Sequence, residues 1–165
     1  MAASSWGAPT LEFFKLTPKQ VLSDSDVTAD WSSKSGYVKI KGDDILEGST
    51  TLETSEGETK TLKNATGNDV DSKKMPSSYN VTTSVLRLKG DDESKFESNN
   101  GIVAGEYAFR LIPEDAESLG FCFRKATIST SMAWSEDNGL LENLSIAGIQ
   151  PNGDDHEICK VFTKA

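Results

Sequence analysis

Three residues have side chains whose chemistry would be most telling: His156, the only histidine, and the two cysteines, Cys122 and Cys159. A Ser-His-Asp relay would have to run through His156. That residue lies in the polar run Asn152-Gly153-Asp154-Asp155-His156-Glu157, with no nucleophile elbow beside it. Zinc needs three or four Cys/His ligands at motif spacing, and these three residues are scattered. Asp154, Asp155 and Glu157 offer hard oxygen donors of the kind Ca²⁺ takes, as do Asp24 and Asp26, but neither set has EF-hand spacing. No glycine-rich phosphate cradle is present. The chain therefore reads as non-enzymatic, with no catalytic residue, no metal ligand set and no cofactor site.

The cysteines are expected to be free thiols, because two cysteines without a secretory signal are characteristic of a reducing compartment. The N-terminal residues lack a basic stretch followed by an apolar one, so no such signal is read there. A disulfide between the two stays open at this level. Cys122 lies between Phe121 and Phe123 and either faces away from both aromatics or occupies a turn into a strand. The sequons at Asn64, Asn80 and Asn143 would matter only in a secreted protein.

Charge points away from a nucleic-acid clamp. Twenty-six acidic residues against seventeen basic ones leave a net charge of -9, whereas phosphate binding draws its affinity from Lys and Arg. DNA as a passenger is compatible with that charge, since an acidic wall repels a polyanion instead of holding it. Acidic residues cluster at Asp43, Asp44 and Glu47, at Asp91, Asp92 and Glu93, and at Asp154 to Glu157. They read either as subunit-contact or lumen-facing groups or as solvated turns. Trp6 and Trp31 stand in an irregular region and read as anchors that dock an arm onto a neighbour. Trp134 ends an alternating strand and reads as core.

The elements that would position these residues are mostly strands. A chain of 165 residues forms one domain with a real core. Its 36% hydrophobic content is low enough to imply long loops or an arm around that core. No apolar run is long enough to span a membrane. Residues 1–36 are read as an arm or loop region containing a strand near Leu11–Leu16 and a helical turn at Pro18–Leu22 capped by Thr17. Strands are expected over Tyr37–Lys41, Ser49–Glu56, Glu58–Lys63, Asp69–Lys73 and Ser78–Leu88. Gly57 and Gly67 supply the tight turns among them. Short helical segments are expected at Gly90–Phe96 and Pro113–Leu119. Val103–Leu111 alternates as a half-buried strand. Lys125–Trp134 alternates more clearly, with Ala126, Ile128, Thr130, Met132 and Trp134 toward the core. Leu140–Ile149 and Ile158–Phe162 complete eight or nine strands. The predicted fold is mainly β: an antiparallel β-sandwich or partial barrel with one or two short helices and extended loops or an N-terminal arm.

Three segments carry a resemblance. Thr51-Leu52-Glu53-Thr54 is followed by Glu56-Gly57-Glu58 and by Gly67 to Asp71 before the strand at Ser78. The opening Trp6-Gly7-Ala8-Pro9-Thr10-Leu11-Glu12-Phe13 and the stretch Val103 to Leu111 with Pro113-Glu114-Asp115 complete the set. In order and spacing they resemble bacteriophage tail tube proteins (major tail proteins), in particular a group from phages and prophages of Bacteroidetes-like hosts. Lys15 to Lys34 and the acidic end at Asp154–Glu157 depart from that pattern.

The resemblance implies a structural virion protein, assembled in the bacterial cytoplasm into the tail. It implies homo-oligomeric stacked rings, of hexameric type, with inner sheets merged into one barrel and a lumen through which DNA is ejected. Other tail proteins are the implied partners. The N-terminal region and the loop and strand from Trp31 to Gly48 are the expected ring-to-ring contacts. Two other readings remain at this level: another tail or neck protein such as a terminator or connector, and a carbohydrate- or Ca²⁺-binding β-sandwich module.

Overall fold

The structure, a computed structural model, describes residues 8–20, 22–87, 96, 98–151 and 157–164. In chain order the strands are β1 (Thr10–Lys15), β2 (Val38–Ile40), β3 (Thr51–Ser55), β4 (Thr59–Lys63), β5 (Asp69–Lys74), β6 (Ser78–Leu86), β7 (Ser98–Asn99), β8 (Ile102–Val103), β9 (Tyr107–Ile112), β10 (Leu119–Ser135), β11 (Gly139–Gly148) and β12 (Cys159–Thr163). Among the described residues one helix, α1 (Asp24–Val27), and a 3-10 turn at Gly42–Asp44 accompany them.

Strand β10 organises the sheet because its two halves take different neighbours. Its first half pairs β9 on one side and β12 on the other. Its second half pairs β11, which continues to β6 and β3. All pairings are antiparallel, and ten strands belong to this one sheet. Between the halves the register with β9 shifts across Phe123 to Ala126. Such a bulge bends a strand and re-phases its alternation. Phe121 and Phe123 therefore face the same interior as Ala126 and Ile128. That interior is a sandwich core, with Leu11, Phe13 and Phe109 from one half packed with Val81, Val85, Leu144 and Ile146 from the other. The apolar residues fall at every second position of each strand, so one face of each half is drawn out of water.

The segment after β1 adds a third layer. Leu22, Val27 and Trp31 cover the outer face of the β1–β9–β10 half, against Phe14, Leu16, Ala108 and Cys122. Strand β9 is consequently buried on both faces, where alternation alone suggests one.

The helix is also displaced from its expected place. Pro18 and Lys19 form a turn, with Lys19 at φ 64°, instead of a helix after Thr17. Helix α1 begins six residues later at a Ser23 cap, where the Asp26 side chain takes the Ser23 N–H at 3.0 Å. Residues 113–118 are bends and turns instead of a helix, with Glu117 at φ 68°. The segment Val103–Leu111 is split into β8 and β9 at Gly105, whose φ is 89°. The helix expected at Gly90–Phe96 lies outside the described residues apart from Phe96. That ring is buried edge-on against Phe13, with centroids 4.9 Å apart.

Candidate assembly surface

Strands β4 and β5 form a two-stranded sheet of their own, and every residue in both is exposed. They prolong the β3–β6 pair outward, since Met75 donates its N–H to the Glu58 carbonyl at 2.8 Å. The ladder breaks where Pro76 has no N–H to give. Gly57 is needed there because a Cβ on it would collide with the Met75 carbonyl oxygen. The tip is preformed. Asn64 donates its N–H to the Asn68 carbonyl at 2.9 Å, Gly67 closes the turn at φ 85°, and Asn64 Oδ1 accepts from Thr66 and Asn68.

A bare two-stranded hairpin is at best marginally stable in water. This one exposes Leu62 at 63% and Val70 at 57%. It also sets Lys60 directly opposite Lys73, an arrangement of like charges that weakens the pair. Lys63 and Lys74 have partners in Asp69 (3.3 Å) and Glu56 (3.8 Å).

The molecule carries exposed apolar side chains at both ends of β10. Leu119 begins the strand 65% exposed, while Met132 and Trp134 near its end are 64% and 69% exposed. The alternation that predicted Trp134 as core is real, but the β10–β11 hairpin outruns the opposite half of the sandwich. Among the described residues no layer covers its apolar side beyond Thr130.

Near Leu119 lies a groove of about 570 Å³ walled by Pro9, Ile45, Leu46, Leu111, Pro113 and Leu119, with Glu47 at its edge. Of the acidic candidates, Asp43 and Asp44 sit in the 3-10 turn beside this groove, Asp43 and Glu47 exposed and Asp44 half-buried. Trp6, Asp91, Asp92 and Glu93 lie outside the described residues.

Trp31 is corrected. It is fully buried within its own chain and so offers nothing to a neighbour. Its ring packs edge-on against Phe14 with centroids 4.7 Å apart, and its Nε1 donates to the Asp26 carbonyl at 2.8 Å. The Arg110 guanidinium lies over it at 4.2 Å. Arg110 in turn donates to Glu12 (2.7 Å) and to the Val27 and Ala29 carbonyls (2.9 and 2.6 Å). The buried Arg124 donates to the Leu22 carbonyl at 2.6 Å and pairs with Asp24 and Glu157. Two buried arginines thus staple the loop layer to the sheet through backbone carbonyls, which multidentate guanidinium donors suit well.

The thiols are not poised for chemistry. Burial pushes Cys122 up to about 12 and Cys159 to about 11. Cys159 pairs in register with Phe123 and packs toward the sandwich core, whereas Cys122 points into the outer layer. The two side chains project from opposite faces of the sheet, so they cannot bridge. Among the described residues no three His, Cys, Asp or Glu side chains gather as a metal site. No helix among them is long and apolar enough to cross a membrane.

The sequence marked strands at β4 and β5 without showing that they stand clear of the body. The available signal was the run from Glu56 to Lys74, where Leu62, Val70 and the turn residue Ala65 are the only apolar side chains and no period-2 apolar face forms. Comparison with protein-family models and with curated proteins gives no match in either.

Proposed function

We propose that this chain is a structural subunit that polymerises with copies of itself, of the bacteriophage tail-tube type its sequence resembles. The observation that carries the reading is the fully exposed β4–β5 hairpin. A preformed arm whose leucine and valine stand clear of the other described residues gains burial by packing against another molecule.

Exposed apolar residues at opposite ends of β10 support a heterologous, head-to-tail contact, which closes into a ring or continues as a filament. In this reading β3 offers a free sheet edge within the ring and the hairpin reaches toward the next ring. The acidic surface lets DNA pass through the lumen without adhering. The subunit works mechanically, without catalysis or cofactor, alongside other tail proteins in a virion assembled in the bacterial cytoplasm.

Negative-stain microscopy of the concentrated, purified chain tests this. Rings or stacked tubes are expected. Single compact particles at every concentration would overturn it.

A further inference from the structure

We infer that the β4–β5 hairpin of one copy seats in the apolar groove beside Leu119 of a second copy, with Lys60 and Lys73 against Glu47. The inference rests on the assembly reading and names the two surfaces that meet.

The groove has the right chemistry for this occupant. Its walls are aliphatic side chains and prolines, and Leu62 is the aliphatic residue on the hairpin face that also holds Lys60, Lys73 and Asp71, a face with one net positive charge. Glu47 lines the groove and Asp43 stands exposed in the adjoining turn. The hairpin, with four lysines against two aspartates over residues 59–74, is a basic arm on a chain of net charge -9. Among the described residues neither Lys60 nor Lys73 has an ion pair. Carboxylates from another molecule would relieve the repulsion across that pair.

The placement also fits. Thr50 lines the groove, and β3 starts at Thr51 and runs away from it into β4. At about 3.3 Å per residue the hairpin tip stands on the order of 50 Å from the groove at most. The arm of a copy therefore projects away from its own groove and toward a neighbour's. A donor at one end and an acceptor at the other give the head-to-tail contact that repeats.

Sedimentation velocity on the full chain tests the pairing with three variants: Lys60→Glu/Lys73→Glu, Glu47→Lys, and all three changes together. All these positions are exposed, so the fold is kept, and circular dichroism checks it. Each partial variant should raise the concentration for half-assembly by about tenfold or more, and the combined one should recover most of that loss. In a second measurement, Leu62→Cys and Leu119→Cys copies are mixed under mild oxidation. They should form a mixed disulfide between copies that neither forms alone.

Assembly of Lys60→Glu/Lys73→Glu at the wild-type concentration would overturn the inference while leaving self-assembly intact. So would a combined variant no better than the worse parent, or Leu62→Cys and Leu119→Cys copies that form no mixed disulfide when mixed. A wild-type chain that never associates would remove the assembly reading and this inference together.

Discussion

Replacing Trp31 with alanine separates a residue that holds its own chain together from one that reaches for a neighbour. The indole is fully buried and touches Phe14 and Arg110. Truncating a buried tryptophan to alanine costs about 3–5 kcal/mol. Losing the guanidinium stack in a desolvated site adds about 1–2 kcal/mol. These terms share partners and do not add fully, so a loss of about 4–5 kcal/mol is expected. For a chain of this size that is a fall in Tm on the order of 10–15 °C. The conservative Trp31→Phe keeps an aromatic surface under Arg110 but forfeits the bond to the Asp26 carbonyl, and should lose about 1–2 kcal/mol. The assay is urea unfolding, run at protein concentrations low enough that association adds nothing to stability. A loss under about 1 kcal/mol for Trp31→Ala, or one that appears only at assembling concentrations, would refute the placement of Trp31 in the monomer's own core.

Four other outcomes follow from the same contacts. Glu12→Gln removes the carboxylate facing the buried Arg110 and should destabilise by about 3 kcal/mol in the same unfolding assay. Leu62→Asp/Val70→Asp changes only exposed positions, so Tm should move by less than about 2 °C while assembly is lost in light scattering. Tyr37 is raised from 10.0 to about 12 by burial and by the Glu12 charge, and Cys122 and Cys159 are raised from 9.0 to about 12 and about 11 by burial. Folding therefore favours their protonated forms. The stability they contribute is complete below pH about 9 and is lost as pH rises toward 12, which an alkaline series of melting curves with phenolate absorbance would show. Thiol titration of the native chain should find Cys122 unreactive and no disulfide on non-reducing gels, with both thiols reacting after denaturation.

Most strands were legible because their apolar residues alternate with a polar face, as in Tyr79–Val81–Thr83–Val85 and Ala126–Ile128. The failures share one cause, the number of layers over each face. Trp134 continues a true alternation past the point where the described residues supply an opposing layer, so the pattern cannot tell a core position from an exposed one. Trp31 lies in a stretch with no period at all, and its burial depends on Arg110, which is distant in sequence. Helix α1 formed at the Ser23/Asp26 capping box, whereas Thr17 and Pro18 offered a start signal with no apolar face behind it. The β4–β5 hairpin was visible as two strands but not as an arm, because polarity marks exposure without marking how far a hairpin stands from its body. Of the proposed contact residues, Glu47 lines the groove and Asp43 and Asp44 sit in the turn beside it, and no spacing in the sequence shows that this segment meets Leu111 and Leu119.

Completion of each subunit by another copy is tested most directly by sedimentation velocity of the intact chain over a wide concentration range, beside a variant with residues 58–75 replaced by a short turn. The intact chain should move from the mass of one subunit to large discrete assemblies as concentration rises. The shortened variant, its sandwich core untouched, should remain small. An intact chain that keeps the mass of one subunit throughout, or a shortened variant that assembles identically, would contradict the account.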